Sequence, residues 1–398
     1  MATKTVNVAL IGSKFMGRVH SNAYLKVGKF FDLPVMPVMD TVTARDGKDL
    51  NAFAQRWGWQ SWTTDWKMVV DNPNIDLVDI GTPNHVHAEQ AIASLESGKH
   101  VACEKPLAGT LDDARQMLAA ARRAKGCRTF VWYNYRRCPA VALAHQLASE
   151  GRLGRIYHVR ACYLQDWGGP ATPLLWRFKG SQAGSGAHGD LNAHIIDMAR
   201  FITGDEVTEV VGSIAQTFIK QRDLIDQPAT GASRSKKKNA SLRKGRSTVD
   251  DAVLFLARFR GGAAASFEAT RLATGEKNHN RIEIHGDKGA LRFNFDRMNE
   301  LDWFDLTDPP RLQGWRTIDV TRGQHGHPYV DAWWPDAHYL GYEHGFINMA
   351  GDMFKMIGGR KPLVPMPDFQ DAYITQRVLH AAIESAKNRC PIKLSQVK

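Results

Sequence analysis

The segment VNVALIGSKFMG, residues 6–17, decides the fold of the first half of the chain. Residues 6–11 are apolar enough for a buried strand, Gly12 ends that strand, and a helical pattern follows from Gly17. A strand, a glycine turn and a helix in this order are typical of the first unit of a nucleotide-binding sheet. We therefore expect the chain to begin with a Rossmann-like unit.

Strands and helices alternate over about the first 135 residues. The predicted strands cover residues 37–44, 75–80 and 100–103, and the predicted helices pass through Phe53 and Trp57 and cover 85–97. Such alternation favours a parallel, doubly wound sheet with right-handed crossovers. We predict an α/β fold that starts with a dinucleotide-binding Rossmann domain over residues 1–138.

The pattern changes from about Gly154 onwards. Long strands are predicted within residues 158–167, 207–220, 252–271 and 281–295, the last two as hairpins that turn on glycine. Helices are expected over 190–202 and 368–387. We predict a second, α+β domain over residues 139–398 with a large, open-faced, mostly antiparallel sheet. Because an exposed sheet face invites self-association, we also predict a homodimer or homotetramer through this sheet.

Composition favours a soluble cytoplasmic protein. The chain has 398 residues, of which 43% are hydrophobic and 23% charged, and no apolar run approaches the roughly 18 residues of a membrane helix. The first residues lack the pattern of a secretory signal, so we expect no membrane partner. The five cysteines fit neither a zinc motif nor a disulfide framework, and we expect reduced thiols.

The net charge of +11 arises in large part from one stretch, residues 234–246, with seven basic and no acidic residues. Like charges repel and nothing apolar anchors this stretch, so we expect a solvated, mobile loop. No base-reading module or interleaved aromatic residues accompany it, and we predict no nucleic-acid partner.

The glycine turn departs from the pattern G-x-G-x-x-G at its middle glycine, where Lys14 stands. Lys14 would instead place an ammonium near phosphate at the positive end of the helix. An acidic residue after the second strand would bind the ribose diol of NAD, whereas an arginine would favour NADP. Arg45 and Asp46 both stand there and Asp40 lies earlier, so both cofactors stay open, with NAD preferred.

Two further motifs follow predicted strands, at the edge where doubly wound sheets bind ligands. They are residues 81–85 (GTPNH) and residues 104–106 (EKP). His85 and His87 have no third ligand at metal spacing, so we interpret them as helix-start and surface histidines and predict no metal. A glutamate beside a lysine is by itself usually a surface ion pair.

A third motif lies on the predicted helix 190–202. Asp190 and His194 are four residues apart and Asp197 follows three later, so the three would share one polar stripe. Such a stripe could be only a solvated face. A carboxylate beside a histidine, however, can hold the ring in the orientation that a general base needs.

Together, these motifs resemble the Gfo/Idh/MocA oxidoreductases, the family of glucose-fructose oxidoreductase, inositol dehydrogenase and rhizopine catabolism. The resemblance spans nearly the whole chain. It implies that Lys105 is the catalytic lysine, that Asp190 and His194 form an acid/base pair, and that the Lys105–Pro106 bond is cis. The implied cofactor contacts are Gly12, Lys14, Phe15, Met16, Gly17, Arg45, Asp46, Thr82, Pro83, Asn84, His87, Glu104 and Lys105.

Within this family, residues 163–167 (YLQDW), Trp176-Arg177 and residues 327–338 (HPYVDAWWPDAH) are similar to members that oxidise glycosides or anhydrosugars. Aromatic rings suit the apolar faces of pyranoses. The expected substrate contacts are Lys105, Gln165, Trp167, Trp176, Arg177, Asp190, His194 and Asp197.

The expected reaction is hydride transfer between NAD(P) and a hydroxyl-bearing carbon of a sugar, glycoside, anhydrosugar or inositol. Lys105 would stabilise charge on the oxygen, His194 would accept the proton, and Asp190 would orient His194. Two alternatives stay open: a redox-neutral NAD-dependent glycosidase or epimerase, and a non-catalytic sugar or nucleotide sensor.

Overall fold

The first half of the chain forms a parallel sheet. The structure is a computed structural model that describes residues 4–224, 243–323 and 327–397. Within residues 4–138 six strands pair in the order β3-β2-β1-β4-β5-β6, all parallel. They are β1 (Thr5–Ile11), β2 (Met36–Thr43), β3 (Ser61–Thr63), β4 (Leu77–Ile80), β5 (His100–Cys103) and β6 (Thr129–Val131).

Helices cover both faces of this sheet, and β4 accordingly is buried at every position. The helices are α1 (Phe15–Phe30), α2 (Leu50–Trp57), α3 (Trp66–Asp71), α4 (His87–Glu96), α5 (Leu111–Arg123) and α6 (Pro139–Ser149). The strand order reverses between β1 and β4, and a doubly wound sheet binds ligands at such a point. The predicted parallel, doubly wound sheet is confirmed.

A second sheet of nine strands follows, in the order β16-β15-β14-β13-β7-β12-β11-β8-β17. Its strands are β7 (Ile156–Leu164), β8 (Val207–Gln216), β11 (Ala252–Phe259), β12 (Ala264–Thr270), β13 (His279–Gly286), β14 (Gly289–Asn294), β15 (Glu300–Asp305), β16 (Arg316–Asp319) and β17 (Ile392–Lys393). Only β7 and β12 pair in parallel among these strands, so the predicted mostly antiparallel sheet is confirmed.

One face of the nine-stranded sheet packs on helices. These helices are α6, α8 (Ala193–Thr203) and α10 (Phe369–Asn388). Along β11 the core-facing Val253 and Phe255 alternate with Leu254 and Leu256, which are exposed on the other face. The sheet is therefore open on one side within the described residues, as predicted.

The helices α3, α5 and α6 were not predicted individually, and the region around α8 differs from the predicted helix over 190–202. A short helix, α7 (Gly180–Ala183), precedes a π-helical turn over His188–Asn192 that leads into α8. The helix α9 (Tyr342–Ile357) was not predicted at all, and it packs against α1. A helix from the second half of the chain thus packs against a helix of the first half.

The basic stretch 234–246 falls largely outside the described residues, which resume at 243. Its last residues form β10 (Lys244–Arg246), which pairs with β9 (Gln221–Asp223). No disulfide joins the five cysteines. None of the helices in the described ranges combines the length and the apolar character that a membrane crossing requires.

Candidate active site

A cavity of about 1390 Å³ lies at the carboxyl ends of the parallel strands, where the first sheet meets the second half of the chain. Its lining includes residues that directly follow β1, β2, β4 and β5, and residues from β7 and the π-helical turn. Pockets for small ligands usually measure roughly 300–1,000 Å³. This cavity can therefore hold a dinucleotide and a small substrate together.

Close backbone contacts explain both glycines of the first turn. Gly12 has a φ of 124°, and a Cβ atom there would lie 2.7 Å from the carbonyl oxygen of Gly81. A Cβ atom on Gly17 would overlap the carbonyl oxygen of Gly12. Gly17 lies behind the turn and is absent from the cavity lining, so its predicted cofactor contact is indirect.

The rest of the turn faces the cavity. Lys14, Phe15 and Met16 all line it, and α1 begins at Phe15 with its free backbone N–H groups at this end. A helix start of this kind attracts phosphate. The chain thus offers the pyrophosphate cradle that a dinucleotide requires.

Arg45 and Asp46, the two residues after β2 that bear on the choice between NAD and NADP, lie at the far end of the cavity. Arg45 and Asp46 line it just after β2, and Asp46 accepts a hydrogen bond from the Lys48 backbone N–H at 3.1 Å. Thr64 and Trp66 line the same end. Sequence reasoning missed these two residues because the three-residue strand β3 that positions them has no clear pattern.

The middle of the cavity is lined by the two loops that follow β4 and β5, with Thr82, Pro83, Asn84 and Glu104. His87, predicted as a surface histidine or a cofactor contact, is instead fully buried. Its Nε2 atom lies 2.9 Å from the Thr82 carbonyl oxygen and its Nδ1 atom 3.2 Å from that of Pro106. His87 therefore ties the two loops together beneath the cavity.

Lys105 forms a tight ion pair at the other end of the cavity. Its Nζ atom lies 2.7 Å from Asp190 Oδ1, and Arg271 Nη2 lies 2.7 Å from Asp190 Oδ2. Burial would raise the pKa of Asp190, but Lys105 and Arg271 outweigh burial and hold this pKa well below its usual range. Asp190 is thus a carboxylate shared by two cations, and the Lys105–Pro106 bond is cis.

His194 lies beside this ion pair and is almost fully buried. Burial is the main cause that holds its pKa well below 6.5, and the positive charge of Lys105 adds to it. The ring is therefore neutral near pH 7 and able to accept a proton. Tyr135 and Tyr163 pack against it, with ring centroids at 4.7 and 5.8 Å.

The predicted polar stripe of Asp190, His194 and Asp197 does not form. Asp190 belongs to the π-helical turn and His194 to α8, so one regular α-helical face does not join them. Asp190 bonds to Lys105 and Arg271 rather than orienting His194. Asp197, expected to contact substrate, points away from the cavity and pairs with buried Arg136, whose Nε lies 2.8 Å from Asp197 Oδ2.

A chain of hydrogen bonds lines the cavity wall next to His194. The Tyr163 hydroxyl donates its proton to Asn278 Oδ1 at 2.8 Å. The Tyr135 hydroxyl must therefore be the donor in its 2.7 Å hydrogen bond to the Tyr163 oxygen. Gln165 Nε2 also donates to Asn278 Oδ1, at 2.7 Å, and Trp167 Nε1 donates to Gln165 Oε1 at 2.6 Å. Gln165 and Trp167, which the sequence predicted as substrate contacts, both line the cavity and belong to this hydrogen-bonded wall.

Comparison with known proteins identifies the relationship. Residues 6–133 match the family described as "Oxidoreductase family, NAD-binding Rossmann fold", and residues 141–292 match the "GFO/IDH/MocA C-terminal domain". The chain belongs to the Gfo/Idh/MocA family. The family, the fold class and the oxidoreductase activity predicted from the sequence are confirmed.

Relatives that match over the whole length include sugar dehydrogenases. Levoglucosan dehydrogenase of Pseudarthrobacter phenanthrenivorans is 40% identical over 99% of each chain. A solved structure titled levoglucosan dehydrogenase in complex with NADH and levoglucosan has a TM-score of 0.88 and 40% identity, covering 98% of this chain and 99% of its own. An oxidoreductase domain protein from Kribbella flavida has a TM-score of 0.90 and 45% identity over 98% and 99%.

Two other predicted substrate contacts of this Gfo/Idh/MocA protein line the cavity. They are Trp176 and Arg177, and the Arg177 guanidinium carbon lies 4.5 Å from the Trp176 ring centroid. Residues 327–338, by contrast, do not form part of the cavity lining within the described residues. Trp333 and Trp334 pack on Phe30 instead, with ring centroids at 4.3 and 5.3 Å.

Arg271 is the most important residue that sequence reasoning missed. It is fully buried, and its guanidinium carbon lies 4.9 Å from the Trp167 ring while it binds Asp190. No motif marks it, because it comes from the end of β12, about 80 residues from Asp190. Only the sheet topology brings the two together.

Proposed function

We propose that this protein is an NAD-dependent dehydrogenase that oxidises a hydroxyl-bearing carbon of a pyranoside or anhydrosugar. One observation carries the proposal: the Lys105 ammonium and the buried, neutral His194 lie at one end of a cavity that is large enough for a dinucleotide and a sugar. The 40% identity to levoglucosan dehydrogenase over the whole chain supports an anhydrosugar.

The residues that would hold the cofactor run along the cavity. The turn from Gly12 to Met16 and the start of α1 would bind the pyrophosphate. Asp46 would accept hydrogen bonds from the ribose hydroxyls of NAD, whereas Arg45 offers charge for the extra phosphate of NADP. We favour NAD because Asp46 stands at this position and because a close structural neighbour was solved with NADH.

A nicotinamide held in this cavity would supply the acceptor for the hydride of the reacting carbon. Lys105 Nζ hydrogen-bonds the reacting hydroxyl and stabilises the negative charge that develops on its oxygen. Asp190 and Arg271 keep the Lys105 ammonium in place through the shared carboxylate. His194 accepts the hydroxyl proton. We assign this role to Nε2, since Nδ1 is enclosed and without a hydrogen-bond partner.

The wall beside His194 suits a sugar ring. Trp167 and Trp176 offer aromatic faces for the apolar face of a pyranose, and Gln165 and Arg177 offer hydrogen bonds to its hydroxyls. Asn278 Oδ1 already accepts two hydrogen bonds, which leaves its amide group to donate to substrate. These groups select for a compact polyhydroxylated ring.

A substrate panel tests the proposal. Purified protein is incubated with levoglucosan, simple glycosides and inositols, each with NAD and with NADP, and nicotinamide reduction is read at its absorbance band. We expect reduction of NAD with an anhydrosugar or pyranoside. No reduction with any substrate and either cofactor would contradict the proposal, and product release without net reduction would indicate a redox-neutral reaction instead.

We further propose a homodimer or homotetramer that buries the open face of the nine-stranded sheet. Ile214, Leu254 and Leu256 are exposed on this face, and exposed apolar patches commonly mark interfaces. Light scattering on a size-exclusion column tests the proposed oligomer. We expect Leu256→Glu to dissociate the assembly, and a monomeric parent protein would contradict the proposal.

We propose that the chain consists of two domains, residues 1–138 and 139–398. We also propose a cytoplasmic location.

A further inference from the structure

A buried histidine links helix α1 to the loop that carries Lys105. His20 is fully enclosed and lies between two carboxylates from neighbouring strands. Its Nδ1 atom lies 2.9 Å from Asp79 Oδ2, and its Nε2 atom lies 3.2 Å from Glu104 Oε1. The ring stacks on Trp132 with a centroid distance of 4.2 Å. The proposed mechanism assigns no role to this histidine.

The surroundings of His20 require a positive charge. A neutral imidazole has one N–H donor for the two carboxylates, whereas an imidazolium carries one N–H on each side and a positive charge that both carboxylates attract. Asp79 also accepts hydrogen bonds from two further donors, Tyr24 Oη at 2.7 Å and Trp132 Nε1 at 2.8 Å. Burial disfavours the imidazolium, but Asp79 and Glu104 outweigh burial and raise the pKa of His20 to about 9.

Glu104 carries this interaction into the cavity. One of its oxygens faces His20, and the other accepts a hydrogen bond from the Lys105 backbone N–H at 3.0 Å. Glu104 itself lines the cavity between Thr82 and Lys105. The side chain that holds the start of the Lys105 loop is therefore held in turn by His20.

We propose that His20 is a positioning residue whose imidazolium form fixes Glu104, and through it the Lys105 loop, at the nicotinamide end of the cavity. This inference rests on the proposed function, because it assumes a nicotinamide cofactor at that end. When the imidazolium loses its proton, one N–H donor disappears and two carboxylates face a neutral ring. The affinity for nicotinamide cofactor then falls.

The other groups that face His20 do not titrate in a way that mimics this effect. Tyr24 comes from its own helix, and burial raises the pKa of its hydroxyl well above 10. Cys103, beside Glu104 on β5, is a buried thiol whose pKa burial likewise raises well above its usual value. Phe346 of α9 contributes only a ring contact, at 6.0 Å. The remaining charged groups that face His20 are the carboxylates of Asp79 and Glu104.

NADH binding across pH 7 to 10, followed by protein fluorescence, tests the proposal. The parent protein should lose about tenfold in affinity as His20 deprotonates, since one hydrogen bond to a charged group is then lost. His20→Gln should bind NADH weakly at pH 7 and show little further loss on raising the pH. Tyr24→Phe is the matched control, because it removes a hydrogen bond to Asp79 without touching Glu104; it should bind as the parent does.

A second variant keeps the test decisive if His20→Gln fails to fold. Glu104→Gln removes the charge that faces His20 but keeps the size of the side chain, and it should also flatten the pH dependence. NADH binding with the parental pH dependence in either folded variant would overturn the role of His20 and leave the proposed function intact. A parent protein that binds no NADH at any pH would instead contradict the proposed function.

Discussion

Asp190→Asn tests whether the carboxylate acts through Lys105 or through His194. Asp190 Oδ1 lies 2.7 Å from Lys105 Nζ and Asp190 Oδ2 lies 2.7 Å from Arg271 Nη2. Asparagine keeps the shape of the side chain but removes the negative charge. In the variant the Lys105 ammonium and the Arg271 guanidinium face each other without a carboxylate between them.

The expected loss in kcat/KM follows from how far the Lys105–Asp190 ion pair is exposed to solvent. The side chains of Lys105 and Asp190 are 13% and 27% exposed, so solvent screens them only in part. A hydrogen bond between charged groups in such a place contributes about 1.5–3 kcal/mol. Because about 1.4 kcal/mol corresponds to a factor of ten in rate, we expect kcat/KM to fall by about 10- to 100-fold.

The pH profile of kcat/KM identifies the partner. If the carboxylate acts through Lys105, kcat/KM should fall at every pH of the profile. Asp190 raises the pKa of His194, so its removal can only lower that pKa, and we expect the acid limb to move only slightly to lower pH.

Parental kcat/KM in Asp190→Asn would refute this reasoning. So would a large move of the acid limb to lower pH, since that result would show that the carboxylate acts mainly by raising the pKa of His194. The assay uses the best sugar from the substrate panel, and circular dichroism confirms that the variant is folded.

Three further predictions concern residues outside the reacting group. Asp197→Asn should lower the free energy of unfolding by about 1–3 kcal/mol, since buried Arg136 then keeps only its ion pair with Asp371, while the KM for sugar changes less than twofold; a selective rise in this KM would contradict the structure. Gly17→Ala should cost about 1–3 kcal/mol in urea denaturation and weaken NADH binding, because the methyl group would overlap the Gly12 carbonyl oxygen; parental stability would argue against the close contact. The pKa of His20 is raised from 6.5 to about 9, so its contribution to stability is full below pH 6.5 and is lost as the pH rises to about 9. This contribution is at most about 3 kcal/mol, and an equal fall in stability over this range in His20→Gln would show that another group causes it.

The sequence predicted most of the fold because both halves have strong local patterns. The run from Val6 to Ile11 ends in a glycine turn, and the glycine hairpins after β11 and β13 fix neighbouring strands by themselves. The sequence did not predict α9, whose glycines, histidine and asparagine weaken the helical pattern. Its packing against α1 arises from long-range contacts that a local pattern does not encode.

The candidate site was predictable where motifs follow strands. Thr82 and Lys105 come just after β4 and β5, whose carboxyl ends share one edge of the first sheet, and Gln165 directly follows β7 of the second sheet. The contacts of Asp190 and Asp197 were not predictable in the same way. Asp197 is separated from the cavity because α8 follows a π-helical turn, and Arg271 reaches Asp190 only through the order of strands in the sheet.

Turnover by Lys105→Met and His194→Ala tests the central claim most directly. Initial rates of NAD reduction are measured with the best sugar from the panel, and NADH binding is measured in parallel to show that the cofactor site is intact. We expect each variant to lose at least about 100-fold in kcat while its affinity for NADH changes only a few-fold. Near-parental turnover in either variant would contradict the assignment of Lys105 and His194 to the reacting carbon.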